Sequence, residues 1–150
     1  VLFFDTPPSH SWALPWHRDL RVAVLDNRIP SDEFRKPTLK YGIPHLEAPR
    51  WLLEQMLTLR LHLDPATEEN GPLRVLPRSH RNLSMCGSVG GDVRTVLADA
   101  GDGLLMRPLL SHASNHSATG CLQHRRILHF EFSAVRTLPD RIEWHDYLPM

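Results

Sequence analysis

The sequence lacks the features that would point to a membrane or to a polyanionic partner. No apolar run approaches the roughly 18 residues that a membrane-spanning helix needs, and no signal-peptide pattern opens the chain. Lysine and arginine number 17 together, as do aspartate and glutamate, so the formal net charge is zero. A neutral chain gives no electrostatic reason to expect nucleic acid as a partner. We therefore expect a cytoplasmic protein that binds neither nucleic acid nor membrane.

Cysteine is also scarce. The chain contains only Cys86 and Cys121, and their spacing is not typical of a metal site. A secreted protein held together by disulfides would normally contain more cysteines. We interpret both residues as free thiols of a cytoplasmic protein.

Proline and glycine, in contrast, interrupt the chain often. The 13 prolines and 8 glycines disfavour long helices and favour short strands joined by turns. Leucines alternate with polar residues in LTLRLHLD, residues 57 to 64, and this period of two predicts a strand. Further extended segments are expected at 19–26, 93–97 and 126–134, and one or two helical turns at 49–57. The pattern predicts an all-β fold, a sandwich or a jelly-roll barrel, in a single domain over residues 1 to 150.

Residues 27 to 50 stand apart from this pattern. They contain four prolines and mixed charges without any periodicity. A stretch of this length inside a compact domain is usually functional or mobile. We predict an insertion that forms a lid or a loop.

The stretch LPWHRDL, residues 14 to 20, places His17 and Asp19 two positions apart. In an extended backbone both side chains point the same way and can reach one metal ion, although such a pair can equally be hydrogen-bonded in a loop. A non-haem iron(II) site needs two histidines and one carboxylate. LLSHASNHS offers His112 and His116 as the third ligand. Two arginines then follow in HRRILHFEF, and a guanidinium can hold a carboxylate through two parallel hydrogen bonds.

Four motifs occur in an order that resembles the phytanoyl-CoA dioxygenase family. They are WHRD, ENGPLRVLPRSH, GDGLLMRPLLSHAS and RRILHFEF, and the resemblance covers about residues 12 to 134. It implies a double-stranded β-helix, iron(II) and 2-oxoglutarate as cofactors, and hydroxylation of a small organic substrate. It also implies His17, Asp19 and His112 as iron ligands and Arg125 as the residue that binds 2-oxoglutarate. Arg126 is the fallback, because alternation along a strand puts the two arginines on opposite faces.

Several neighbouring residues are candidates for the substrate pocket, namely Trp16, Arg60 and His62. Trp16 either packs in the fold or borders the pocket, beside the first ligand. Arg60 is expected either to pair with Asp64 or Glu131 or to bind an anionic substrate. His80 and His129 are expected to line the cavity or the core, and His116 to lie at the surface or beside the ligands.

The chain departs from the family in two ways. Arg78 replaces a glycine of the usual PGSH motif, so a positive φ there would strain the backbone. A long segment that precedes the metal motif in the family, and covers one sheet with helices, is almost missing here. Leu128, Phe130 and Phe132 would then form an uncovered apolar face with the leucines of 57–63, which predicts a homodimer or a truncated chain. The alternative to an enzyme is a non-catalytic β-helix domain that binds a small molecule or a divalent metal without turnover.

Overall fold

The computed structural model describes residues 1–8, 10–84 and 92–149, and Cys86 lies outside the described residues. The regular secondary structure of the described chain consists almost entirely of short antiparallel strands, which confirms the all-β prediction. None of its helices is long and apolar enough to cross a membrane. Its one α-helix is the single turn α1 (Arg50–Leu53), directly after Pro49. The strands are β1 (Leu2–Thr6), β2 (Leu14–His17), β3 (Arg21–Ala23), β4 (Arg35–Lys40), β5 (Ile43–Glu47), β6 (Met56–His62), β7 (Leu73–Val75), β8 (Arg94–Val96), β9 (Gly103–Met106), β10 (His112–Ser114) and β11 (Arg125–Ser133).

The first of two compact units contains residues 1–19 and 57–132. It has two four-stranded antiparallel sheets, with the strand orders β1-β11-β6-β9 and β2-β10-β7-β8. All neighbouring strands except β7 and β8 are non-consecutive in the chain, as in the double-stranded β-helix, or jelly roll, that the sequence predicted. Buried apolar residues of this unit include Leu73, Val75 and Met106.

Strand β6 has an unusual distribution of polar and apolar residues between its two faces. The polar residues Thr58, Arg60 and His62 are buried, with 1%, 8% and 2% of their surface exposed. The alternating Leu57 and Leu59 are only half-buried, and Leu61 follows the same pattern. A strand normally buries its apolar face. The reversal indicates that the interior beside β6 is built for polar contacts.

The leucine side of β6 belongs to an apolar surface that we call the outer face. Residues directly opposite in neighbouring antiparallel strands share a face. Leu59 pairs with Leu105 of β9, and Phe3 of β1 pairs with Leu128 of β11. Leu105 is 61% exposed and Phe3 58%. The complete outer face consists of Phe3, Leu57, Leu59, Leu61, Leu105, Leu128, Phe130 and Phe132.

The second unit contains residues 20–56 and 133–150, with a three-stranded sheet in the order β3-β5-β4. Its buried core includes Val22, Val24, Leu52 and Ile142. The C-terminal segment joins the unit through an antiparallel bridge between Val24 and Trp144.

The segment 27–50, expected to be a lid or loop, contains β4 and β5, which pair antiparallel. The pairing register shifts between Arg35 and Thr38, and Lys36 has a φ of 48°. This β-bulge places Pro37 in an edge strand and breaks the alternation that would have indicated a strand. The turn between Lys40 and Ile43 has only two residues, both with positive φ, which is the geometry of a type I′ hairpin. A lid role for the segment, and a single domain over the whole chain, stay predictions.

Candidate active site

The structure brings the three ligand candidates together. His17 ends β2 and His112 begins β10, and the two residues are direct partners across these strands. Asp19 follows two residues later, and its backbone N–H donates to the carbonyl of Pro108, 3.0 Å away. The Nε2 atoms of His17 and His112 lie 3.8 and 3.6 Å from the carboxylate oxygens of Asp19. One ligand atom from each residue lies within 4.8 Å of the other two.

Both imidazole rings are oriented by the backbone. The Nδ1 atom of His17 lies 2.7 Å from the carbonyl oxygen of Pro15, and that of His112 lies 2.8 Å from the carbonyl oxygen of Leu110. A carbonyl oxygen only accepts, so Nδ1 carries the proton in each neutral ring and Nε2 keeps its lone pair. The same bond typically fixes the tautomer of metal-binding histidines. Two nitrogen lone pairs and a carboxylate therefore converge without a donor between them, an arrangement suited to a cation.

The exposure of the three residues differs. His112 is only 3% exposed, whereas the side chains of His17 and Asp19 keep 31% and 28% of their surface. Burial lowers the pKa of His112, and the Asp19 carboxylate acts in the opposite direction. His112 is thus held neutral, as a ligand must be. The backbone next to His112 is also held in place. Ser111, the preceding residue, donates its N–H to the fully buried hydroxyl of Ser79 at 2.8 Å.

Arg125 and Arg126 lie on opposite faces of β11, as the strand alternation predicted. Arg125 is 3% exposed, and its Nε donates to the backbone oxygen of Asn70 at 3.0 Å. Its Nη2 lies 3.4 Å from the hydroxyl of Thr6. Arg126 instead forms two bonds of 2.8 and 2.7 Å to the carboxylate of Asp64, which lowers the pKa of that carboxyl. Of the two arginines, only Arg125 faces the interior.

The turn before β7 holds the backbone acceptor of Arg125. The side chain of Asn70 accepts from the N–H of Thr67 and donates to the carbonyl of Pro65, both at 2.8 Å. Gly71 has a φ of +68°, and a Cβ there would meet the carbonyl oxygen of Asn115 at 2.4 Å. Glycine is therefore needed at this position for both its backbone angle and its size.

Arg60 and His62 line the interior, where the sequence placed candidate pocket residues. Arg60 donates to Nδ1 of His129 at 3.4 Å, and its guanidinium lies 5.8 Å from the centre of the Phe4 ring. Of the two alternatives for Arg60, the ion pair is not found among the described residues: Asp64 binds Arg126, and Glu131 lies 3.7 Å from His129. Burial lowers the pKa of Arg60 to about 10, so it stays protonated at neutral pH. Burial, with Arg60 and Arg125 nearby, also lowers the pKa of His62.

Trp16 is half-buried, and the guanidinium of Arg74 packs over its ring at 5.6 Å, which shows a packing contact. His116 is exposed and its Nδ1 lies 3.2 Å from the carbonyl of Ser11. Arg78 has a φ of +67°, which confirms the strain expected where the family has glycine.

Residues 3–127 match the model of the phytanoyl-CoA dioxygenase (PhyH) family. The chain belongs to the phytanoyl-CoA dioxygenase family. No curated protein matches it. Among solved structures, it is similar to AviO1 from Streptomyces viridochromogenes Tue57, with a TM-score of 0.57 and 20% identity over 91% of this chain and 50% of that one.

Two further structures have the same fold as this family member. EctD from S. alaskensis, solved with 2-oxoglutarate and 5-hydroxyectoine, matches with a TM-score of 0.57 and 18% identity, over 89% of this chain and 42% of that one. The nickel complex of ThoJ, described as a non-heme monooxygenase, matches with a TM-score of 0.55 and 18% identity, over 86% and 40%. The chain thus spans half or less of the length of these structures.

Sequence reasoning missed two partners of Arg125. Asn70 belongs to the motif ENGPLRVLPRSH, but no contact with Arg125 was predicted for it, although its backbone oxygen accepts from the arginine. Thr6 was not singled out at all, although it is the direct partner of Arg125 between β1 and β11. The Asn-Gly pair, a strong turn signal, could have suggested a role for Asn70. The contact of Thr6 depends on the pairing of β1 with β11, for which the sequence carries no local signal.

Proposed function

We propose that this family member is an iron(II)- and 2-oxoglutarate-dependent dioxygenase that hydroxylates a small organic substrate. The observation that carries the proposal is the convergence of the Nε2 atoms of His17 and His112 on the carboxylate of Asp19. Two histidines and one carboxylate are the facial ligand set of non-haem iron(II) oxygenases. When bound, iron(II) and the keto acid would supply the oxidising chemistry.

The protein's own residues would hold and orient the reactants. His17, Asp19 and His112 would bind the metal. The tautomers of the two histidines leave the lone pairs of their Nε2 atoms directed at it. Arg125 would hold the distal carboxylate of 2-oxoglutarate, since it is buried and no described carboxylate neutralises it. Trp16, Arg60 and His62 would border the substrate. An aspartate at position 19 favours hydroxylation, because related halogenases leave that ligand position free for chloride.

The test is an anaerobic titration of the apo protein with iron(II) and then 2-oxoglutarate, recording the weak visible charge-transfer band of the chelate. We expect the band in the wild type and its loss or weakening in His112→Ala and Arg125→Ala. Two matched controls, His116→Ala and Arg126→Ala, remove exposed neighbours of the same residue types and should keep the band. A folded wild type without the band would refute the proposal, and metal binding alone would support the non-catalytic alternative.

We further propose that two copies of the chain associate through the outer face. Leu105 and Phe3 expose more than half of their surface there, beside half-buried leucines of the same sheet. Monomeric proteins rarely leave a continuous apolar patch of this kind in water. Pairing of two such faces would bury it by the symmetric contact that most homodimers use.

A further inference from the structure

The interior next to the metal ligands contains more positive charge than its own carboxylates neutralise. Arg60 and Arg125 are 8% and 3% exposed. No described carboxylate lies within ion-pair distance of either guanidinium. Within the described part of the chain, the acidic group that interacts with Arg60 is Asp19, which would bind the metal, and Arg125 repels Arg60. Elsewhere the same chain pairs an arginine fully, as Arg126 with Asp64 shows.

The same region contains buried polar atoms without partners. Among the described residues, Nε of Arg60, both ring nitrogens of His62 and the hydroxyl of Thr58 have no hydrogen-bond partner. These three residues alternate along the buried face of β6. Buried polar groups are normally satisfied, since a donor without an acceptor destabilises the fold. A cluster of unmet donors beside two guanidiniums indicates a bound anion with several oxygen acceptors.

The positions of the two guanidiniums limit where that anion can bind. Arg60 packs over Phe4 and Arg125 contacts Thr6, two residues of β1 that are separated by one position. Alternate residues of a strand lie on the same face, so both guanidiniums reach the same face of β1. Arg125 is also close enough to lower the pKa of Arg60. The carboxylate that the proposed function assigns to Arg125 would thus also neutralise Arg60.

We propose that Arg60 is a second binding residue for the keto acid and holds its distal carboxylate together with Arg125, with His62 donating to it from between them. The inference rests on the proposed function and adds a specificity to it. The site should select keto acids with a second carboxylate, because without one the two guanidiniums stay buried and unneutralised. Arg60 would then contact the co-substrate from its place at the border of the substrate pocket.

The experiment compares two keto acids by isothermal titration calorimetry on protein loaded with nickel(II). 2-Oxoglutarate carries the distal carboxylate, whereas 2-oxopentanoate has the same five-carbon chain with a methyl group there. We expect Arg60→Gln to weaken 2-oxoglutarate binding by about tenfold or more, as for a lost charge-assisted hydrogen bond. Binding of 2-oxopentanoate should be unchanged. Arg60→Lys should keep part of the affinity, and the exposed control Arg126→Gln should keep all of it.

Three other results of the titrations would each contradict a different part of the proposal. Equal weakening of both keto acids by Arg60→Gln would place Arg60 at the metal-bound carboxylate instead. No weakening of either would exclude Arg60 from co-substrate binding while leaving the proposed function intact. A folded wild type that binds neither keto acid would refute the proposed function itself. Circular dichroism of Arg60→Gln checks folding, and we expect no loss of thermal stability in the apo protein because the variant removes an unneutralised buried charge.

Discussion

Replacing Gly71 with alanine tests whether the turn before β7 also sets the position of Arg125. Gly71 has a φ of +68°, a region that costs an L-residue about 1–2 kcal/mol. The added Cβ would also lie 2.4 Å from the carbonyl oxygen of Asn115, a backbone atom that cannot move aside alone. Overpacking of this kind costs about 1–3 kcal/mol. The two contributions together predict a loss of about 2–5 kcal/mol in the free energy of unfolding.

Gly120 provides the matched control, because it has a φ of +82° but no heavy atom within 4 Å of an added Cβ. Gly120→Ala should therefore lose only the conformational part, about 1–2 kcal/mol. Urea unfolding followed by circular dichroism measures both variants. Equal losses within about 0.5 kcal/mol, the usual size of a neutral surface change, would refute the steric reasoning.

The Gly71 variant also reports on the site. The carbonyl that accepts from Arg125 belongs to the peptide between Asn70 and Gly71, so a shift of Gly71 turns the acceptor away from the guanidinium. In the folded protein, Gly71→Ala should weaken 2-oxoglutarate binding, while Gly120→Ala should leave it unchanged. A destabilised Gly71→Ala protein with full affinity would show that the turn does not position Arg125.

Two further predictions concern stability and association. Burial lowers the folded-state pKa of His62 below its ordinary value of 6.5, so the unfolded state binds more protons and stability should fall as the pH drops below about 6.5. Urea unfolding across this range should show a weaker pH dependence in His62→Gln, and an identical dependence would contradict the assignment. For the outer face, light scattering should give a dimer for the wild type and a monomer for Leu105→Glu, with Leu122→Glu as the exposed control; a monomeric wild type would exclude the dimer.

The parts of the fold with regular local patterns were predictable from the sequence. The leucine alternation of residues 57–64 predicted β6, which the structure places at Met56–His62. The pairing of β4 with β5 was not predictable in the same way. Its turn is formed by Tyr41 and Gly42, and Tyr41 does not belong to the residues that favour positive φ. The bulge at Lys36 then removed the period of two that identifies strands.

The site shows the same division between local and long-range information. His17 and Asp19 share one short motif, so their proximity followed from extended geometry. Their meeting with His112 depends on β2 pairing with β10, and the motif order of the family supplied what the local sequence could not. The choice between an ion pair and a bound anion for Arg60 could not be made from the sequence, because alternation fixes only the face on which a residue lies. It does not fix which carboxylate the folded chain brings near, and Asp64 binds Arg126 instead.

The polar face of β6 connects these observations. Strand β6 buries Thr58, Arg60 and His62 and leaves its leucines half-exposed. By itself this arrangement destabilises the fold, because buried polar groups without partners cost free energy. Its composition becomes understandable if the buried side serves a charged ligand and the apolar side is covered by a second surface. Both conditions can be measured separately, by keto-acid affinity for the inner side and by molecular mass for the outer. If neither held, the strand would bury polar groups without compensation, and its alternation would need an explanation other than ligand binding or association.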